Sequence, residues 1–227
     1  MRSFKAGRLF PQEDVDARLG WYSLLGTIPL IVAGLAFEKK VDKDFRSLYV
    51  IAVALILLAL ILLVAERIGR RNRNIESLTF REAMIVGLTQ AIALVPGASR
   101  SGCTITSGLF LGLDREDAAR FSFLLSIPAI TLAGLYKLGK TLFPQYLGEA
   151  AKAGAPPPAP PDLSHVAGPY LFATLVAGIL AYVVVRSLMG YLSDEKNSTM
   201  PFIIYRIVLG LALIGLVQAH VLPAVSH

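Results

Sequence analysis

The segment 96–104 places an arginine and several hydroxyl side chains inside a strongly apolar part of the sequence. Arg100 supplies a guanidinium that can pair with two phosphate oxygens at once. Ser99 and Thr104 supply hydroxyls close to it in sequence. An ionisable residue within an apolar segment indicates a functional site, because burying it in lipid is costly. We therefore predict a phosphate-binding site that contains Arg100, Ser99 and Thr104.

The neighbouring glycines favour the same chemistry through the backbone. Gly97 and Gly102 leave N–H groups accessible, and a helix beginning near Cys103 would direct its positive end at a bound anion. With Thr104 they match the glycine spacing of a nucleotide-binding phosphate loop, but that motif needs a lysine where this chain has Cys103. The sequence predicts an anion cradle with Gly97, Gly102 and Ser101 as substrate-binding residues, and not a nucleotide loop.

Two other interpretations of the segment were weighed. Small residues could serve only helix packing while Arg100 extends to the membrane interface. Gly97 and Gly102 on either side of Arg100, and its position far from both ends of the stretch 82–113, disfavour this. A phosphatase of the acid phosphatase superfamily would need a histidine where this chain has Thr106. That class is disfavoured.

Two polar residues outside the segment are further substrate-binding candidates. Gln90 lies six residues before Pro96 and could orient water or ligand, or bond to a neighbouring helix. Arg206 lies near the start of the last apolar run and could anchor the helix at the interface or contact a second phosphate. Both alternatives stay open for each residue.

The composition sets the class of protein that must position these residues. Of the 227 residues 55% are hydrophobic, and the mean hydropathy is +0.61. This is more apolar than an ordinary soluble domain. The formal charge of +6 is spread over connections between apolar runs, which is typical of membrane topology signals and disfavours nucleic-acid binding. A single cysteine excludes a disulfide framework or a multi-cysteine metal site.

Five apolar runs are long enough to cross a membrane. They are predicted at 19–37, 48–65, 121–138, 167–192 and 202–222. The segment 82–113 differs, because its arms 82–95 and 103–113 would be helices of about 21 and 16 Å, too short to cross alone. We predict an all-α polytopic membrane protein with a re-entrant helical hairpin at 82–113, forming a single integral membrane domain. The proline-rich segment 153–161 is predicted to be an external loop.

The distribution of arginine and lysine predicts the orientation. With the N-terminus inside, the cytoplasmic connections carry more basic residues than the external ones, as the positive-inside rule requires. Residues 1–18 are polar and lack the apolar core of a cleavable signal peptide. Insertion is therefore expected to begin with the first apolar run.

The motifs resemble one membrane enzyme family. The stretch GLTQAIALVPGASRSGCT (87–104) and the later FSFLLSIP (121–128) are closely similar to undecaprenyl-diphosphate phosphatases of the bacitracin-resistance type. Further agreement comes from LGTIP (25–29), Phe37-Glu38, Ala65-Glu66-Arg67, Tyr205-Arg206 and Gly210. The similarity extends from about Trp21 onward.

The resemblance implies a function. Members of this family hydrolyse undecaprenyl diphosphate to undecaprenyl phosphate and phosphate, which recycles the lipid carrier for peptidoglycan synthesis and confers bacitracin resistance. They are built from two inverted repeats, each with a re-entrant hairpin, and the active site lies where the hairpins meet. Arg100, Ser99 and Thr104 match the phosphate-binding residues of the second hairpin. The resemblance also implies a bacterial plasma (inner) membrane location.

The sequence departs from the family pattern in one respect. The first hairpin of the family, with its glutamate pair and a Pro-x-Ser-Ser-Thr-Gly-His signature, does not occur in these 227 residues, and Val86 and Gln90 stand at the equivalent places of the retained repeat. The resemblance implies a divalent cation, Mg²⁺ or Ca²⁺, whose ligands this chain lacks. Either a start site assigned downstream or an inactive, shortened paralogue would account for the gap, and reduced activity is expected.

A second function stays open. Inverted repeats, interrupted helices and an anion site near the membrane midplane are also features of transporters. The chain could therefore be a carrier that moves a polyprenyl phosphate across the bilayer, or could bind the lipid without turnover. The oligomeric state stays open as well, with a homodimer as one alternative.

Overall fold

The computed structural model describes residues 14–44, 47–142, 163–194 and 196–223, with side chains for 14–36, 47–139, 168–194 and 196–223. Most of these residues are helical, and no strand is assigned among them, although Arg73 and Leu113 form an isolated β-bridge. The all-α prediction is confirmed. The helices are α1 (Val15–Gly26), α2 (Ile28–Asp44), α3 (Leu48–Ile68), α4 (Phe80–Gln90), α5 (Arg100–Phe110), α6 (Arg115–Leu142), α7 (Leu163–Leu192) and α8 (Met200–Gln218), with short 3-10 turns at Ile75–Ser77 and Ala91–Leu94.

Five helical segments in the described part are long and apolar enough to cross a membrane. They are Val15–Ala36, Leu48–Ile68, Arg115–Gly139, Gly168–Leu192 and Met200–Gln218. The number matches the prediction, but the first and third segments begin earlier than expected. Polar caps explain this shift, since Asp14 accepts a hydrogen bond from the N–H of Ala17 and Asp114 accepts one from Asp117. The proline-rich segment 153–161 lies outside the described residues.

The chain divides into two compact units, one of Met1–Pro128 with Leu192–His227 and one of Ala129–Tyr191. The candidate site lies in the first unit. Nearly all described side chains of the second unit are exposed, including large apolar ones such as Tyr170, Leu171 and Phe172. An apolar exposed surface of this kind suits contact with lipid tails. The single membrane domain stays a prediction, because compactness alone does not show which parts fold together.

Helix α8 packs closely against α3 because Gly210 lacks a side chain. A Cβ at Gly210 would lie 2.6 Å from Cγ1 of Ile56 and 3.0 Å from the carbonyl oxygen of Ala52. Small residues at such contacts let membrane helices approach each other. Ala52 and Ala59 of α3 are fully buried. The close packing brings the first turns of α8 beside the 96–104 segment.

A second glycine contact places α4. A Cβ on Gly87 would overlap the backbone of Gly26 near the end of α1, so the two helices touch through their main chains. The buried face of α4 consists of Ala83, Val86, Gly87 and Gln90. The contact between Gly87 and Gly26 therefore sets how α4 packs against α1.

Arg73 joins the two arms of the interrupted segment at their base. Its guanidinium donates to both carboxylate oxygens of Glu82, at 2.6 and 3.0 Å, and to the carbonyl of Leu111 at 3.0 Å. Glu82 also completes a capping box with Thr79 at the start of α4. The hydrogen bond from Arg73 lowers the pKa of Glu82 to about 2. The start of α4 and the end of α5 are thus held together by one side chain.

A buried carboxylate links three helices at one end of the first unit. Glu66, 6% exposed near the end of α3, accepts hydrogen bonds from Arg115 Nε at 2.6 Å and from the hydroxyl of Thr199 at 3.0 Å. Arg71 approaches the same carboxylate at 3.5 Å. Arg115 begins α6 and Thr199 precedes α8, so this cluster fixes where both helices start.

Candidate active site

The predicted hairpin is present as two short helices joined by a tight turn. Helix α4 ends at Gln90, a 3-10 turn follows at Ala91–Leu94, and α5 begins at Arg100. Helix α5 therefore starts three residues before the expected Cys103. The reason is Ser99, whose hydroxyl accepts a hydrogen bond from the N–H of Gly102 at 3.2 Å and caps the helix.

The turn depends on an unusual backbone conformation. Gly97 has φ +89° and Ser99 has φ +62°. Positive φ is easy for glycine but uncommon for serine, and such strain is frequent at functional sites. A Cβ at Gly97 would also lie 2.6 Å from the carbonyl oxygen of Ile51 on α3. Glycine is therefore required at position 97, and the turn is pressed against α3.

The exposed side of the turn presents donors. Ser99 and Ser101 are exposed, and Arg100 is half-buried. Within the described residues the Arg100 guanidinium makes no hydrogen bond or ion pair, and the N–H groups of Arg100 and Ser101 have no acceptor. Unpaired N–H groups at a helix start, next to a guanidinium, form a site for an anion.

Arg206 lies beneath the turn. It is 7% exposed, and its Nη2 donates to the carbonyl oxygens of Gly97 and Ala98, each at 3.0 Å. Gly102 provides room for it, because a Cβ there would overlap Nη1 of Arg206. The structure thus brings Arg206 to the predicted site, in contact with the main chain of the turn.

The electrostatics of the turn favour a negatively charged ligand. Two guanidinium groups, Arg100 and Arg206, lie at or beneath the N-terminus of α5, whose dipole adds positive potential. Ion pairs within the described part of the chain involve the carboxylates of Glu66, Glu82 and Asp117, all outside the turn. The positive charge at this place is therefore available to a bound anion.

Thr104 is oriented differently from the prediction that it holds a substrate oxygen. It is 1% exposed, and its hydroxyl lies 2.6 Å from that of Ser122 on α6 and donates to the carbonyl of Arg100 at 3.0 Å. The hydroxyl therefore bonds within the protein, although Thr104 lies three and four residues after Ser101 and Arg100 on the same helix. The pair with Ser122 depends on the position of α6, which the sequence does not show.

Gln90 does not reach the exposed side of the turn either. Its side chain is fully buried on the inner face of α4, and neither amide atom has a hydrogen-bond partner in the described residues. Position 90 is one helical turn from Val86, on the face that packs inward. Of the eight predicted residues, the structure therefore groups Gly97, Ser99, Arg100, Ser101, Gly102 and Arg206 around the turn.

Comparison with known proteins decides the family. The family described as "Bacitracin resistance protein BacA" matches residues 1–212. The chain belongs to the BacA family. Relatives in this family include the undecaprenyl-diphosphatases of Chloroherpeton thalassium, 43% identical over 221 residues, and of Pelodictyon phaeoclathratiforme, 45% identical over 219 residues. These alignments cover 94% and 93% of this chain, and 72% of each relative.

A relative from another bacterium is similar to about the same extent. The undecaprenyl-diphosphatase of Micrococcus luteus is 42% identical over 218 residues, which is 96% of this chain and 73% of the relative. The BacA family resemblance predicted from the motif at 87–104 is confirmed. The chain spans a little under three quarters of the length of these relatives.

The turn of this BacA family member does not fit a divalent cation. A group of three or more histidine, cysteine, aspartate or glutamate side chains that could hold a metal is not found among the described residues. The turn itself presents Arg100 and Arg206, which repel a cation. The Mg²⁺ or Ca²⁺ implied by the family resemblance stays a prediction.

Proposed function

We infer that this chain is an undecaprenyl-diphosphatase, an enzyme that hydrolyses undecaprenyl diphosphate to undecaprenyl phosphate and phosphate. The observation that carries this function is the Arg100 guanidinium beside the N–H groups at the start of α5, all without a partner in the described part of the chain, which belongs to the BacA family. The relatives named above carry the same activity in their names. A carrier that moves the lipid without hydrolysis is not favoured by these relatives.

The turn binds the diphosphate through charge and backbone donors. Arg100 pairs with the phosphate oxygens, and the N–H groups of Arg100 and Ser101 donate to the same anion. Phosphoryl transfer depends mainly on positioning the substrate and stabilising the charge of the transition state. Donors that the fold already holds in place, such as these, supply that stabilisation without reorganising during the reaction.

The reaction breaks the bond between the terminal phosphorus and the bridging oxygen. A new oxygen–phosphorus bond forms either from the Ser99 hydroxyl or from a water molecule, and the lipid monophosphate leaves. Ser99 is exposed beside Arg100 and reaches the same space. Attack by Ser99 would leave a phosphoserine that water then hydrolyses, so a phosphoserine trapped at position 99 distinguishes the two routes.

The experiment compares Arg100→Ala with Arg120→Ala in the purified 227-residue chain. Phosphate release from a polyprenyl diphosphate in detergent is measured for each. Loss of one charged transition-state contact is expected to slow release by about 100-fold or more for Arg100→Ala. Arg120 is exposed on α6, and its replacement should leave the rate unchanged.

Two results would contradict the proposal. Equal rates of phosphate release for wild type and Arg100→Ala would show that Arg100 and its turn do not take part in the reaction. A wild-type chain that releases no phosphate, where the Micrococcus luteus relative does so under the same conditions, would contradict the activity itself. Lipid scrambling, measured after the same protein is reconstituted into vesicles, then reports the carrier alternative directly.

The cellular setting follows from the same inference. The chain is a multi-pass membrane protein by its five apolar helices. We propose that it lies in the bacterial plasma membrane, where its product serves as the lipid carrier of peptidoglycan synthesis and its activity counters bacitracin. A homodimer is the oligomer proposed, and the mass of the detergent-solubilised protein measured by light scattering tests it.

A further inference from the structure

The Arg206 guanidinium is buried at the candidate site but directed at protein backbone. Its Nη2 donates to the carbonyls of two consecutive residues, Gly97 and Ala98. Its Nε is buried and has no partner among the described residues. Since Arg206 is only 7% exposed, a diphosphate on the outer side of the turn would meet Arg100 first.

The hydrogen bond to the Ala98 carbonyl fixes the direction of the Ser99 N–H that follows it, whereas the N–H of Ala98 itself donates to the carbonyl of Val95. In a planar trans peptide the carbonyl of one residue and the N–H of the next point in opposite directions. Because the Ala98 carbonyl is directed at Arg206, the Ser99 N–H points away from it, toward the exposed side. That N–H has no acceptor within the described residues.

The strained conformation of the turn needs such support. Ser99, with φ +62°, lies outside the conformations that serine normally adopts, and such a residue persists only where surrounding contacts hold it. Arg206 is the side chain that contacts both carbonyls preceding Ser99. Gly102 supports the same arrangement by leaving space for Nη1.

We propose that Arg206 is a positioning residue, which holds the Gly97–Ala98 backbone so that Ser99 and the N–H groups of the turn face the diphosphate. This rests on the proposed function, and it assigns Arg206 to the backbone of the turn instead of to a phosphate oxygen. Arg206 is therefore required for turnover more than for substrate binding.

Cys103 offers a reporter that does not depend on activity. It is the only cysteine of the sequence, it is buried, and its thiol lies 3.7 Å from the carbonyl oxygen of Ala98, the same oxygen that Arg206 binds. Loosening this backbone would admit a thiol reagent. The labelling rate of Cys103 thus measures how firmly the turn is held.

The experiment measures maleimide labelling of Cys103 without substrate in wild type, Arg206→Met, Arg206→Lys, Arg100→Ala and Arg67→Met. Losing two charged hydrogen bonds should speed labelling at least about tenfold in Arg206→Met. Arg67 is exposed at the end of α3, so the same substitution there should change nothing. Arg100→Ala should also keep Cys103 protected. Arg206→Lys keeps the positive charge but does not place its donors as the planar guanidinium does, and should label at an intermediate rate.

The kinetic prediction separates positioning from binding. Arg206→Met should lower kcat by about 100-fold while KM changes by only a fewfold, because the misplaced donors matter most in the transition state. A KM effect with unchanged kcat, or Cys103 protected in Arg206→Met, would overturn the proposal. If Arg206→Met does not fold, Arg206→Lys decides the same two measurements. If the wild-type chain releases no phosphate, the proposed function is contradicted. If Arg206→Met nevertheless labels faster than wild type, the conclusion that Arg206 holds the backbone of the turn still stands.

Discussion

At the scale of single residues, the site separates into groups that face the ligand and groups that hold the turn. Arg100, Ser99 and Ser101 lie on the accessible side, where charge and hydroxyls can meet a phosphate. Thr104 and Arg206 contact other parts of the protein. Residues close together in this motif thus differ in their exposure and in the contacts that they make.

The Thr104–Ser122 pair gives a prediction at this scale. Thr104→Val keeps the shape of the side chain but leaves the buried hydroxyl of Ser122 without its partner, and should lower the free energy of unfolding by about 1–2 kcal/mol. In the double variant with Ser122→Ala, part of this loss should be recovered. Thermal unfolding in detergent measures both. Additive losses in the double variant would show that the hydroxyls do not interact.

At the scale of elements, the two arms of the hairpin are held at both ends. The turn is pressed against α3 at Gly97, and Arg73 joins the start of α4 to the end of α5. Two helices of eleven residues each would be marginal on their own. Contacts at tip and base therefore supply the rigidity that preorganised donors need.

The Arg73–Glu82 pair makes this rigidity dependent on pH. The folded-state pKa of Glu82 is about 2, below the ordinary value of 4.5, so the pair contributes stability above about pH 4.5 and loses it as the pH falls toward 2. Glu82→Gln should lower the thermal stability at neutral pH and flatten its decline over this range. Glu76→Gln, at an exposed glutamate nearby, is the control. If the thermal stability of Glu82→Gln depends on pH as that of wild type does, the Arg73–Glu82 pair does not stabilise the hairpin.

At the scale of the molecule, the site depends on helices that are far apart in sequence. Arg206 on α8 reaches residues more than one hundred positions earlier, and it does so because α8 packs on α3. Glu66 ties α3 to the starts of α6 and α8. The position of the turn is therefore a property of the first compact unit as a whole.

The Glu66 cluster tests this dependence. Glu66→Gln leaves the guanidinium of Arg115, 14% exposed, without its countercharge, and removing one partner of a buried ion pair costs about 3 kcal/mol or more. Thermal stability in detergent should fall clearly, and phosphate release should fall with it at elevated temperature. Arg67→Met, one residue away and exposed, should have no such effect. Equal stability of Glu66→Gln and wild type would contradict the role of this cluster.

The sequence by itself determined the class of protein, the number of apolar helices, and the interrupted helix pair with the turn that we propose as the anion site. These depend on composition, segment length and local chemistry, which the order of residues contains directly. Only the tertiary structure decided that α5 starts at Arg100, that Thr104 bonds to Ser122, and that Arg206 holds the backbone of the turn. These depend on which helices become neighbours, and this in turn depends on contacts such as Gly210 against Ile56 and Gly87 against Gly26, which join positions distant in the chain.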